Sequence, residues 1–263
     1  MVILRVLYDT RSSTKALAYI LFILFIPFVG IIFYFSFGIN YRKRKLYSKK
    51  IFEDEPLRQS IKNRMNAYSE TISNSGLIKR KSKTLVEYLR NAGNCPLTVN
   101  NDVKLLINGE EKFPELLKAI ENAKYHIHIE YYIYENDVTG KQVADLLIKK
   151  AKQGVEVRFL YDASRINYRN HRKIVIIDGM VSFIGGINMS DKYRNDLNRK
   201  NHLFWSDTHL MVRGQASAYL QYLFMCDWNF CSASRLEYSE YYFPDNTNQE
   251  TLEDKIVQFA ASG

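Results

Sequence analysis

Midway along the chain, Asn170 to Asn188 read NHRKIVIIDGMVSFIGGIN. The stretch sets His171, Lys173 and Asp178 into β-branched, apolar sequence and closes on Gly185-Gly186-Ile187-Asn188. Val175, Ile176 and Ile177, with Val181, Phe183 and Ile184, predict two short strands. Asp178-Gly179 between them predicts a tight hairpin, because such a turn needs positive φ. Side chains alternate along a strand, so His171 and Lys173 share one face. An imidazole beside an ammonium on a rigid strand suits attack on a phosphorus atom whose oxygens are held at the same time.

The surrounding elements are those that would position this hairpin. Val103 to Ile107 reads as a strand stopped by Asn108-Gly109. Leu116, Leu117, Ile120 and Ala123 form a helical apolar stripe. Tyr125 to Tyr134 alternates as a strand, and Val143, Leu146, Leu147 and Ala151 mark a second helix ending at Gly154. Val155 to Tyr161 and Thr208 to Val212 add strands, and Ala216 to Phe230 a helix. Strands alternating with helices predict an α/β layered domain, a mixed β-sheet flanked by helices. His126, His128 and Glu130 fall on one strand face, but any strand gives that spacing. With no fourth ligand in prospect they read as satisfied polar groups, and no metal or cofactor is expected.

Composition narrows the function classes. A hydrophobic content of 46% with five prolines among 263 residues excludes disorder. Cys95, Cys226 and Cys231 form no disulfide framework and no zinc spacing. The net charge of +9 is uneven: residues 1–50 carry +8, 51–90 carry +3, and 91–263 carry −2. A nucleic-acid enzyme would concentrate its positive charge on the catalytic part, so no nucleic-acid partner is expected. Here the charge lies beside an apolar segment, which suits an anionic lipid surface.

That segment, Leu17 to Phe37, has no charged residue. As one helix it would span about 32 Å, the thickness of a bilayer core. Pro27 and Gly30 are tolerated in membrane helices. Six basic residues follow between Arg42 and Lys50 against three before it, which predicts that the C-terminal part is cytoplasmic. The organisation expected is a membrane anchor over residues 1–40, with its transmembrane helix at 17–37. A basic helical linker over 41–93 and the α/β domain over 94–263 follow.

The spacing His171-x-Lys173, with Asp178 five residues on and Gly-Gly-x-Asn beyond, resembles the HKD signature of the phospholipase D superfamily. Within it the chain resembles bacterial cardiolipin synthases. The likeness rests also on the apolar stretch ending Phe37-Gly38-Ile39-Asn40-Tyr41-Arg42-Lys43, on Tyr125 to Tyr132, on Trp205-Ser206-Asp207-Thr208-His209 and on Asp227-Trp228. It implies metal-independent transfer of a phosphatidyl group through a phosphohistidine at the cell membrane. Phosphatidylglycerol would be the substrate, giving cardiolipin and glycerol. His171 would be the nucleophile. Lys173 and Asn188, with the Gly185 and Gly186 amides, would hold the phosphoryl oxygens. Asp207 would steady the imidazolium. Asp178, though part of the signature, reads as a turn and network residue.

Four departures accompany the likeness. One HKD motif is present where these synthases carry two, so a homodimer is expected to complete the site. Val2 to Tyr8 matches only the end of a first membrane helix. Asp162 to Asn167 is too short for a parallel crossover, so the sheet is expected to lack a strand or pair it differently. Ser206 also stands where the family's pattern has arginine. The competing functions are a single-motif phosphodiesterase or nuclease working as a homodimer, and a catalytically inert membrane protein.

Overall fold

The computed structural model of the chain describes residues 2–9, 13–38, 55, 57–61, 63, 69, 72–73, 75–161 except 77 and 94, 171–196, 203–244 and 255–261. The expected linker over 41–93 lies partly, and the 162–167 connection wholly, outside them. The chain divides into two compact units, Met1–Glu53 and Asp54–Gly263.

The first unit holds helices α1 (Val2–Asp9), α2 (Ser13–Phe25) and α3 (Pro27–Phe33), then a π-helical turn, Tyr34–Gly38. The sequence predicts one continuous helix over 17–37, and the structure divides it. Pro27 disfavours helical backbone at the residue before it, and Ile26 accordingly sits at φ −134°, ψ 74°. The chain then folds back. A Cβ on Gly30 would lie 2.8 Å from the Ile23 Cα, so only glycine allows α3 this close to α2. Tyr34 packs edge-on against Tyr19 and donates to the Arg5 carbonyl. Among the described residues no helix is long and apolar enough to cross a membrane.

The second unit is built on a seven-stranded sheet of order β3-β2-β4-β5-β6-β1-β7. The strands are β1 (Leu97–Ile107), β2 (His126–Tyr131), β3 (Glu156–Tyr161), β4 (Lys173–Ile177), β5 (Val181–Gly185), β6 (Thr208–Gly214) and β7 (Lys255–Gln258). Of these strands, β2 and β3 pair in parallel and the other pairs are antiparallel. Because β4 is antiparallel to β2, it is also antiparallel to β3. The short link between β3 and β4 therefore has no parallel crossover to make.

Among the described residues this unit carries the helices α4 (Arg80–Gly93), α5 (Asn108–Glu121), α6 (Val138–Lys152) and α7 (Ala216–Cys231). Strand alternation sorts the core into two layers. Ile127, Ile129, Val175, Ile177 and Phe183 pack with Phe113, Leu116 and Ile120 of α5 and Val143 of α6. Ile174 and Ile176 point the other way, to Leu220 and Phe224 of α7. All five residues of β4 are buried. At about 1.5–3 kcal/mol for each fully buried Ile or Val, the strand that begins at Lys173 is firmly fixed beside β2, whose six residues are buried too.

Candidate active site

Register places the chemistry. Lys173 pairs with Tyr131 across β2, and Gly185 pairs with His209 across β6. Ile174 opposes Ile184, so Lys173 and Gly185 lie in the same row. The row Tyr131, Lys173, Gly185, His209 therefore runs across four strand ends on the face covered by α5. His171 precedes it on the same face, exposed, with its ring 4.8 Å from that of Tyr132.

Lys173 is only 2% exposed, yet its Nζ lies 3.2 Å from both ring nitrogens of His171 and donates to the His171 carbonyl at 2.7 Å. A ring nitrogen that accepts from an ammonium must present its lone pair, the same lone pair a nucleophile uses. Burial drives the Lys173 pKa down to about 8, with the Asp207 charge opposing the fall. The imidazole and the cation expected to share a strand face are thus in direct contact.

The two glycines serve space. A Cβ on Gly185 would stand 2.7 Å from His209 Nδ1, and one on Gly186 would overlap the Asp207 carboxylate. The Gly186 amide is already used, donating to the Thr208 carbonyl at 2.9 Å. The expectation that this amide holds a phosphoryl oxygen therefore meets a committed donor. Asn188 directs its Nδ2 to the Tyr193 hydroxyl at 2.7 Å, while its buried Oδ1 has no partner among the described residues.

Asp207 enters the same face. Its backbone is clamped to Asn108 by two hydrogen bonds, 2.9 and 3.0 Å, which ties the start of β6 to that of α5. Its carboxylate accepts from the Thr208 amide and raises the pKa of both Lys173 and Lys112. Among the described residues no hydrogen bond joins Asp207 to His171. Their shared neighbour is the Lys173 ammonium.

Asp178 is elsewhere. It sits at the far end of β4 from His171, at φ 52° with Gly179 at φ 66°, in the hairpin turn. Its carboxylate accepts three backbone amides, from Lys124, Tyr125 and His126, at 2.7 to 2.9 Å. The signature aspartate therefore staples β2 to the β4–β5 turn and touches no reacting group. Asp178→Ala is expected to cost about 2–4 kcal/mol through the orphaned amides. Thermal melts should show that loss, while turnover per folded molecule, normalised to the folded fraction, stays near wild type.

Three residues at the site were not singled out in the sequence. Lys112 is fully buried, its Nζ donating to the Ile187 carbonyl at 2.8 Å and lying 4.8 Å from the Tyr131 ring centroid. It anchors the Gly-Gly-Ile-Asn segment from α5, and burial holds its pKa well below the ordinary lysine value. Its signal was a lysine four residues before Leu116, on the apolar stripe. His209 is buried with neither ring nitrogen hydrogen-bonded among the described residues, its pKa depressed by burial and by Lys112 and Lys173. Arg172, between His171 and Lys173, points to the opposite face and pairs with Asp227 of α7, fixing the approach to β4 from behind.

His126 and His128 also face α7. His128 is held by Gln221 at 3.1 Å and stacks on Phe224, and burial lowers both pKa values to about 3. They are polar groups within the second core layer and stand apart from the row that carries Lys173.

Comparison with known proteins gives the following. A family model described as "Phospholipase_D-nuclease N-terminal" matches residues 1–38. A cardiolipin synthase of Alkalihalophilus pseudofirmus is 35% identical over 292 aligned positions, covering 98% of this chain and 56% of that protein. The probable cardiolipin synthase YwiE of Bacillus subtilis is 34% identical, covering 97% and 56%. The chain thus spans about half the length of the curated relatives it matches. The alignment with the first is longer than the chain, so that relative carries residues with no counterpart here. Among solved structures, Nuc from Salmonella typhimurium aligns at TM-score 0.38 and 18% identity, over 49% of this chain and 95% of that one. Phosphatidylserine synthase of Haemophilus influenzae aligns at TM-score 0.40 and 16% identity, over 54% and 38%.

Proposed function

Because the chain is a cardiolipin synthase-like member of the phospholipase D superfamily, we propose that it is one catalytic half of a phosphatidyl-transferring enzyme held at the cell membrane. The observation that carries the reading is the Lys173 ammonium set against the exposed His171 ring at 3.2 Å. Neutral His171 attacks the phosphorus of phosphatidylglycerol, the P–O bond to the glycerol headgroup breaks, and glycerol leaves with a proton from a general acid. The phosphatidyl group rests on the imidazole as the Lys173 ammonium shifts from the ring to a phosphoryl oxygen. The hydroxyl of a second phosphatidylglycerol then attacks, returning its proton to the same acid–base group and releasing cardiolipin.

The acid is the missing part. This chain offers one such histidine, and a second copy related by a two-fold axis supplies the other, the isologous arrangement commonest among oligomers. Asp207 acts through the field it casts on Lys173, keeping the cation charged next to the phosphoryl group. The apolar stretch from Leu17, with the basic cluster after it, keeps the chain at the membrane with residues 54–263 on the cytoplasmic side.

The test is product analysis. The full chain reconstituted in liposomes of headgroup-labelled phosphatidylglycerol should release labelled glycerol and form cardiolipin, at a specific rate that rises with protein density if two copies build one site. Formation of phosphatidic acid would move the acceptor to water, and absence of both products at every density would overturn the reading.

A further inference from the structure

The end of the sheet that carries His171 has an unusual rim. Leu203 is 78% exposed, Phe204 74% and Trp205 44%, in the extended run that leads into Asp207. Beside it Ile107, at the end of β1, is 47% exposed, and Ile133, just past β2, is 38% exposed. The far end, around the Asp178 turn, mixes the charged Glu115, Lys118, Lys124, Arg213 and Glu240 with Tyr125 and Tyr241. Large apolar side chains left in water and clustered at the site end of a domain mark a surface built for something other than water.

The exposure is held in place. Asn195 clamps the Trp205 backbone in both directions, its Oδ1 accepting from the Trp205 amide at 3.0 Å and its Nδ2 donating to the Trp205 carbonyl at 2.9 Å. Asn195 is itself fixed by its amide to Glu110 Oε1 of α5 at 2.7 Å. The Trp205 ring leans on Tyr193 at 5.6 Å between centroids. The backbone polar groups of Trp205 are thus satisfied internally, and Asp207, two residues on, is tied to Asn108. A frayed loop would show none of these bonds.

We propose that Leu203, Phe204 and Trp205, with Ile107 and Ile133, form the surface by which the site end of the domain sits in the interface of an anionic phospholipid bilayer. This deepens the phosphatidyl-transfer reading and rests on it for the choice of occupant. A nucleophile that takes phosphorus from a lipid still in its bilayer must stand at headgroup level. Side chains on the same rim then reach about 5–10 Å further, to the acyl boundary. Trp and Tyr with an apolar body and a polar edge are the residues suited to that depth. Arg199 and Lys200 precede the run in sequence, basic residues of the kind anionic headgroups attract.

The chain has two tryptophans, Trp205 and Trp228, so fluorescence reads the rim directly. The full chain with Trp228→Phe is reconstituted in phosphatidylglycerol liposomes whose acyl chains are plain or brominated near the headgroup. The difference spectrum between wild type and Trp205→Phe gives the same signal should the first variant fold poorly. Trp205 emission is expected to be blue-shifted and cut by about half by the brominated lipid. Quenching by aqueous acrylamide with none by bromine would place Trp205 in water and overturn the proposal. Shielding from both quenchers would mean a protein cover, such as a second copy, and would overturn it equally. The readout needs no turnover, so failure of the transfer chemistry is seen separately.

Discussion

Replacing His171 with alanine is expected to remove phosphatidyl transfer to background, a loss of about 10⁴-fold or more, together with the acid-labile, phosphorus-labelled protein that denaturing gels should trap from the wild type. His171 is exposed and lies just before the first ladder residue of β4, so its side chain contributes little to the core. Loss of an exposed ring away from the packing is worth about 0.5 kcal/mol or less. A drop in rate without a drop in melting temperature therefore isolates chemistry from folding. His171 has a second distinction: its backbone carbonyl and its ring both face one ammonium, that of Lys173. Transfer that continues in His171→Ala would move the nucleophile to another group and leave the Lys173 contact as an ordinary buried-cation arrangement.

Much of this geometry was written in local sequence. Period-two alternation gave β2, β-branched and apolar residues gave β4 and β5, and the Asp178-Gly179 turn has the positive φ its residues imply. The shared face of His171 and Lys173 followed from alternation alone, and so did the separation of Asp178, since a turn residue at the other end of a strand cannot reach back. What local sequence could not carry was neighbourhood across strands. Lys112 looks like a lysine that snorkels from an apolar stripe. Only the register of β4, β5 and β6 reveals that the stripe ends over a polar row, where its Nζ finds the Ile187 carbonyl. His209 was legible as a strand residue, and its place opposite Gly185 was a long-range fact. The strand β7 escaped because four edge residues give too little pattern.

The N-terminal segment teaches the converse lesson. Hydropathy and length argued for one helix over 17–37, and both treat the run as uniform. The backbone is governed at one point by the Ile26-Pro27 junction and at another by the close approach that Gly30 permits. Two local steric facts thus outweigh an average taken over the whole stretch, and the segment folds back on itself.

Lys173→Met is the second large effect, and its signature differs from that of His171→Ala. Removing a donor aimed at developing phosphoryl charge should cost about 10²–10³ in kcat. Stability should move the other way. The folded pKa of Lys173, about 8, lies below its ordinary value of 10.5, so the folded chain binds its proton less well than the unfolded chain does. The protonated lysine is therefore a stability cost, present in full below about 8 and relieved as pH rises from there towards 10.5. Methionine carries no such cost, so the variant should melt no lower than wild type at pH 7. The same pKa sets a limb in the wild-type pH profile. Above about 8 the free enzyme loses the cation, and kcat/KM should fall roughly tenfold per pH unit. A bound phosphodiester holds the proton on Lys173, so the corresponding limb in kcat should lie at higher pH. In Lys173→Met the limb should vanish and leave a flat alkaline profile. A limb unchanged in the variant would assign that titration to another group and take the phosphoryl-holding role away from Lys173.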